Sequence, residues 1–295
     1  RLTIAIPIDS ATRDSVEKKG VVYCYLPTKR RSDLHFLIQA DFLPTIGREN
    51  ISDHPWNVWL MRELGRMTAD VFDEIKDDVH LGTFLYNYIP LRDEVQDELM
   101  KVFYSELTQN LKGKDIARTT HEWAKPAKCV IPSNDALRSI LSESDLRTFL
   151  HQRVHYVDPS LSVSDEYTRA EHILFELGAK GIGTRRGVDF IKFEAPLIQK
   201  SLELYLNLYA YLSTVFDTTN KSYSGDFTQN WDEDKKNLFQ ELKSAKFILT
   251  DNKNLVPLKD ATKPDRLICY PQTMGLSEVY QLFTEGEIVF LHPYL

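Results

Sequence analysis

Phe36-Leu37-Ile38-Gln39-Ala40-Asp41-Phe42-Leu43-Pro44-Thr45-Ile46-Gly47-Arg48-Glu49-Asn50-Ile51 is the stretch on which the reading of this chain turns. Phe36, Ile38, Ala40 and Phe42 alternate along His35–Leu43, the period-2 signature of a half-buried strand. The strand ends at Pro44, a tight segment passes through Gly47, and a single arginine, Arg48, stands there before a helix. An arginine on a loop between rigid elements can act as a phosphate clamp, because its planar fork matches phosphate oxygens and stays charged.

Upstream, Leu2–Ile8 and Val21–Leu26 are apolar, β-branched runs that read as strands. Downstream, Trp56, Trp59, Leu60, Leu64, Met67, Val71, Phe72 and Ile75 keep helical spacing over roughly five turns, with Asp53 as N-cap and Pro55 in the first turn. A second helix is expected from Asp93 to about Leu111, stopping at Gly113, and the polar stretch Gly113–Lys128 reads as a linker. Ser133–Leu141, Glu143–Val154, Ser164–Leu177 and Ala195–Phe216 fit a helical period, with Gly178 as the stop of the third. Thr218–Asn230 reads as a disordered loop, and Phe247–Thr250, Leu255–Pro257 and Leu267–Tyr270 as short strands. The expected class is α+β: a sheet with long helices over 1–115, then a helix-rich region over 128–295, with 128–217 and 231–295 as candidate subdomains.

Length and charge bound the function. At 295 residues the chain can hold about two ordinary domains. Its net charge of −7 disfavours general electrostatic binding to nucleic acid or an anionic membrane. No apolar run approaches the ~20 residues needed to span a bilayer. Arg1-Leu2-Thr3-Ile4-Ala5-Ile6 has neither an initiator Met nor a signal-peptide core, and reads as a fragment of a longer protein. Cys24, Cys129 and Cys269 lie too far apart for a paired zinc motif and fit free thiols in an intracellular, cytoplasmic or nuclear setting.

The loop Leu43-Pro44-Thr45-Ile46-Gly47-Arg48-Glu49 resembles the middle-domain motif of the ninety-kilodalton heat-shock chaperones. Four ordered blocks resemble more closely the sacsin-like branch of GHKL ATPases: Tyr25-Leu26-Pro27-Thr28, Phe36 to Phe42, Arg48-Glu49-Asn50-Ile51 and Trp56-Asn57. The resemblance covers the first ~80 residues. It implies a transducer-like domain whose arginine, Arg48, reaches the γ-phosphate of ATP, with Mg2+, held by an upstream nucleotide-binding domain. Lys29 and Arg30, in a basic cluster placed between two strands, are candidates for a second phosphate contact; the alternative is a solvated turn. Thr45, Ile46 and Gly47 depart from the chaperone pattern, as does Ser52 four positions past the arginine. No Asp stands two residues before any Gly, so the Asp-x-Gly-x-Gly nucleotide box is absent and the chain is expected to bind and hydrolyse no ATP alone.

Weaker patterns complete the reading. Gly178-Ala179-Lys180-Gly181-Ile182-Gly183 is followed by Thr184-Arg185 where a P-loop needs Lys then Ser or Thr, and reads as a helix stop and flexible loop. His151 and His155 would share a helix face, but Gln152 stands where a zincin has Glu, so no metal is expected. Asp73-Glu74 and Asp77-Asp78 read as solvated charge, and the tyrosines of Leu204–Phe216 as packing. Three function classes are weighed: an arginine-supplying, chaperone-like part of a GHKL-type ATPase with an unidentified client; a scaffold with no catalytic role; and, ranked last, a self-contained enzyme using the His151/His155 face. The scaffold reading expects Arg48 paired to Asp41 or Glu49.

Overall fold

The computed structural model describes residues 1–7, 20–78, 82–133, 136–161, 168–193, 207–208, 211–212, 233–249 and 255–257. The fold is α+β, with a sheet and long helices followed by a helical region. The chain forms two compact units, Arg1–Ile131 with His155–Lys180, and Pro132–Val154 with Gly181–Leu295.

The first unit is built on strands β1 (Leu2–Ala5), β2 (Val21–Cys24), β3 (Leu26–Arg31) and β4 (Leu37–Ala40), in the order β1-β4-β2-β3. β1 and β4 run antiparallel, β2 and β4 parallel, and β2 and β3 form an antiparallel hairpin. The run Val21–Leu26, expected as one strand, is two: Tyr25 takes a left-handed φ of 60° and turns the chain between Cys24 and Leu26. Lys29, Arg30 and Arg31 consequently lie within β3, not between strands. Pro27 fits there because β3 is at the end of the strand order, where a missing ladder donor is tolerated.

Helix α1 (Pro55–Ile75) starts as the sequence predicts, with Pro55 at its first position. Its N-cap is His54, whose Nδ1 accepts from Trp56 N–H, while Asp53 pairs elsewhere. The buried stripe of α1 is Asn57, Leu60, Met61, Leu64, Thr68 and Phe72; Trp56 and Trp59, expected on it, are 43% and 46% exposed. After the short α2 (Leu85–Tyr88), α3 (Glu98–Leu111) begins at its N-cap Asp97, whose carboxylate accepts from Leu99 and Met100 N–H. The helix expected from Asp93 starts later because residues 92–94 form a separate 3-10 turn. Gly65 lets α1 and α3 approach closely: a Cβ there would lie 2.6 Å from the Phe103 carbonyl oxygen. Phe36 from the sheet side meets Phe72 edge-on at 5.9 Å and Phe103 at 6.4 Å, joining sheet and both helices in one core.

The 113–128 segment is not a linker. It carries β5 (Ala117–Arg118) and β6 (Trp123–Ala124), paired antiparallel, and Ile116 and Ala117 are fully buried. Strand β7 (Cys129–Pro132) pairs in parallel with β8 (His155–Tyr156). Helix α6 (Arg169–Glu176) also belongs to this unit and buries Ile173 and Leu174 in its core. Gly178 ends it as predicted, at φ 110°: Ala179 N–H reaches the Leu174 carbonyl and Gly178 N–H that of Phe175, a Schellman cap.

The second unit contains α4 (Ala136–Ile140), α5 (Glu143–Leu150), α7 (Thr184–Ile191), α8 (Glu233–Lys243) and the antiparallel pair β10 (Lys246–Leu249) and β11 (Leu255–Pro257); β9 (Lys180–Ile182) spans the division between the units. α5 opens on a capping box, Ser142 with Asp145. Phe190 is buried and meets Phe149 edge-on at 6.2 Å. Arg185 of α7 and Lys192, which caps its C-terminus, both hold Glu241 of α8. Tyr211 is fully buried, in line with the packing role expected for the tyrosines. The remainder of Ala195–Phe216, the Thr218–Asn230 stretch and Leu267–Tyr270 lie outside the described residues.

Candidate functional site

Arg48 stands on a hairpin-like loop between β4 and α1. Pro44 and Ile51 form an antiparallel bridge, Thr45 N–H donates to the Asn50 carbonyl at 2.8 Å, and Arg48 N–H closes a turn onto the Thr45 carbonyl at 2.8 Å. The left-handed residue is Arg48, at φ 54°, and not Gly47. A non-glycine residue in that region costs on the order of 1 kcal/mol, a strain that the surrounding loop must hold. The loop is exposed throughout residues 43–49, and the Ile46 side chain is wholly in solvent.

Its charged neighbours are already committed. Glu49 is held by Lys29, Nζ to carboxylate 2.6 Å, while Lys29 N–H donates to the Glu49 carbonyl at 2.7 Å. Asp41 accepts from the amino terminus at 2.6 Å and from the Tyr25 hydroxyl, bonds that hold its carboxyl below the usual range. The Arg30 guanidinium, 13% exposed, bonds Asp97 at 3.0 Å, Asp53 at 3.1 Å and the Ile51 carbonyl. Arg48 is exposed, and its guanidinium has no hydrogen bond or ion pair among the described residues. Of the three basic residues singled out by sequence, Lys29 and Arg30 brace the loop with their charges paired, and Arg48 alone extends from it unpaired.

The neck of the loop depends on Asn57, a residue that the sequence reading included in a motif without assigning it a role. Its side chain is fully buried and bonds both strands of the neck, at Leu43 and Ser52. The one available cue was positional: Asn57 falls in phase with Leu60, Leu64 and Phe72, a polar residue on an apolar stripe. Beside it, Trp56 Nε1 donates to the Asp41 carbonyl at 3.1 Å and its ring lies 4.9 Å from that of Trp59.

Among proteins of known sequence, the chain is 29% identical over 180 residues to Protein NO VEIN of Arabidopsis thaliana. The likeness covers 55% of this chain and 6% of that much longer protein. No protein-family model matches the chain. No solved structure matches it.

The other sequence candidates are placed as follows. His151 and His155 do not share a helix face: α5 ends at Leu150, His151 caps it at φ 52°, and His155 is a buried residue of β8 with its Nε2 3.8 Å from Glu122. Among the described residues no group of three or more His, Cys, Asp or Glu is arranged to hold a metal ion. The glycine-rich stretch is a helix cap, the short β9 and then the start of α7, not a flexible loop. Asp73, expected in solvent, is gripped by Lys76 at 2.6 Å and approached by Lys114 at 3.4 Å. Cys24 and Cys129 are free thiols. No helix among the described residues is long and apolar enough to cross a membrane.

Proposed function

We propose that this chain is the arginine-supplying, transducer-like part of a GHKL-type, sacsin-like ATPase. ATP and Mg2+ are held by a nucleotide-binding domain upstream in the parent protein, and Arg48 reaches the γ-phosphate from this chain. A fixed cation at that point stabilises charge that develops during phosphoryl transfer. Because Arg48 meets the nucleotide in only one relative placement of the two domains, ATP favours that placement, which couples nucleotide state to conformation in a chaperone-like cycle. The observation that carries the reading is the unpaired guanidinium of Arg48 on a strained, braced, exposed loop whose other charges are matched. The likeness to a small part of a much longer protein supports a role as one segment of a large chain. Free thiols fit an intracellular setting, cytoplasmic or nuclear.

The test is single-turnover ATP hydrolysis by the full-length parent protein, wild type beside Arg48→Ala. The expected loss is on the order of a hundredfold. An unchanged rate, or no hydrolysis by the wild type, moves the assignment to the second reading, an interaction module without catalysis. That reading is favoured by the exposed aromatic and apolar groups Tyr25, Leu26, Trp56 and Trp59.

A further inference from the structure

We infer that Asn57 is the positioning residue for Arg48, an inference that rests on the reading of Arg48 given above. The Asn57 Oδ1 accepts from Leu43 N–H at 2.8 Å, and its Nδ2 donates to the Leu43 carbonyl at 2.9 Å and to the Ser52 carbonyl at 2.7 Å, with Ser52 Oγ at 3.3 Å. One planar amide thus grips the residue that enters the loop and the residue that leaves it. Ser52 N–H and Oγ also bond the Leu43 carbonyl, at 3.1 and 3.0 Å, and close the neck.

The chemistry admits only asparagine. The grip needs an acceptor for Leu43 N–H and two N–H donors for the carbonyls on the same head group. Aspartate keeps the acceptor but sets a charge against two carbonyls, glutamine is one methylene too long, and alanine leaves a buried N–H unsatisfied. The anchor is rigid: Asn57 sits in the first turn of α1, whose next turns bury Leu60, Met61 and Leu64 in the core.

The grip stands where the core ends and the loop begins: Phe42 and Ile51, the neighbours of Leu43 and Ser52, are buried in the core, whereas residues 43–49 are exposed, with Ile46 wholly in solvent. The same buried polar network thus fixes the direction of the exposed loop that carries Arg48. The geometry ties the arginine to the axis of α1.

Two measurements test this. First, amide hydrogen exchange on the 295-residue chain compares wild type with Asn57→Ala, which removes the whole head group, and Asn57→Asp, which keeps only the acceptor. Exchange at Leu43, Thr45, Arg48 and Ser52 is expected to quicken at least tenfold, while amides in α3 stay protected. Unchanged exchange at the neck overturns the grip, whatever the ATPase does. Second, single-turnover hydrolysis in the full-length protein is expected to fall about ten- to a hundredfold in either Asn57 variant, the scale for misplacing one catalytic group. In an Arg48→Ala background the same Asn57 change should cost nothing further, whereas Thr68→Ala on the same helix leaves the wild-type rate unchanged. An Asn57 loss that persists in full without Arg48 makes the residue structural only and overturns the positioning role. If Arg48→Ala is itself silent, the function reading has failed, and the exchange data still decide whether Asn57 holds the loop.

Discussion

Arg169 holds Glu94 across 75 residues of sequence with both arms of its guanidinium, Nη1 to Oε1 at 2.6 Å and Nη2 to Oε2 at 2.7 Å. The same guanidinium donates to the carbonyls of Ile89, at 2.7 Å, and Tyr86, at 3.3 Å. One side chain of α6 therefore ties down the whole turn that carries the chain from α2 towards α3.

Arg169→Ala is expected to destabilise the first unit by roughly 2 kcal/mol, the scale for losing charge-assisted hydrogen bonds to partly buried partners. Arg169→Lys should recover little, because an ammonium cannot reproduce the two parallel bonds. Urea unfolding of wild type and both variants checks this; a lysine variant as stable as wild type would mean that charge alone matters.

Acid should act through the same pair. Burial by itself would raise the Glu94 carboxyl; the Arg169 hydrogen bonds, the Leu91 N–H and the Arg169 charge outweigh it and hold the group below its ordinary value near 4.5. A carboxyl depressed in the folded state contributes stability that is fully present above its unfolded pKa and is lost as pH falls through its folded one. Urea midpoints are therefore expected to be flat from pH 7 to about 5 and to fall below about 4.5. The fall should be shallower in Arg169→Ala, where Glu94 has lost its partner. An equal acid slope in both proteins would assign the loss to other carboxylates, such as Asp73.

Gly65→Ala tests the crossing of α1 and α3. Alanine favours a helix by ~1 kcal/mol over glycine, yet its Cβ would stand 2.6 Å from the Phe103 carbonyl oxygen, 3.0 Å from Glu106 Cβ and 3.1 Å from Leu107 N. The backbone contact should win, with a net loss of about 1–3 kcal/mol as the helices are forced apart. A stabilised variant in thermal unfolding would show that the crossing yields freely.

Tyr86→Phe should cost about 2 kcal/mol without any change of shape. The buried Tyr86 hydroxyl donates to the Ile116 carbonyl at 2.9 Å and accepts from Arg118 N–H at 3.0 Å, and its burial pushes the phenol well above the ordinary range. Removing the oxygen strands both backbone groups, and exchange at the Arg118 amide should quicken together with the loss of stability.

Much of the fold was legible in the chain itself. The alternation through Phe36, Ile38 and Ala40 marks β4, apolar spacing marks α1 and α3, and Gly178 marks the end of α6. Arg48 could be singled out because proline, glycine and arginine between a strand and a helix describe an exposed loop. These features depend on residues a few positions apart, where backbone sterics and side-chain period are enough.

What could not be read locally is where distant partners meet. Tyr25 turns left-handed because β2 and β3 pair around it, which moves the basic cluster from a turn into a strand. Arg30 is paired by Asp97, 67 positions away, and the apparent linker at 113–128 is drawn into the core by Ile116 and Ala117. Asn57 carries no motif of its own; its amide acquires meaning only when Leu43 and Ser52 are folded against it. Charge pairing and hydrogen bonding act over about 3 Å, and which groups come within that reach is decided by tertiary packing. The sequence therefore determined the class of fold and the position of an exposed arginine, whereas only the folded structure decided that Lys29 and Arg30 are spent on carboxylates and that Arg48 is not.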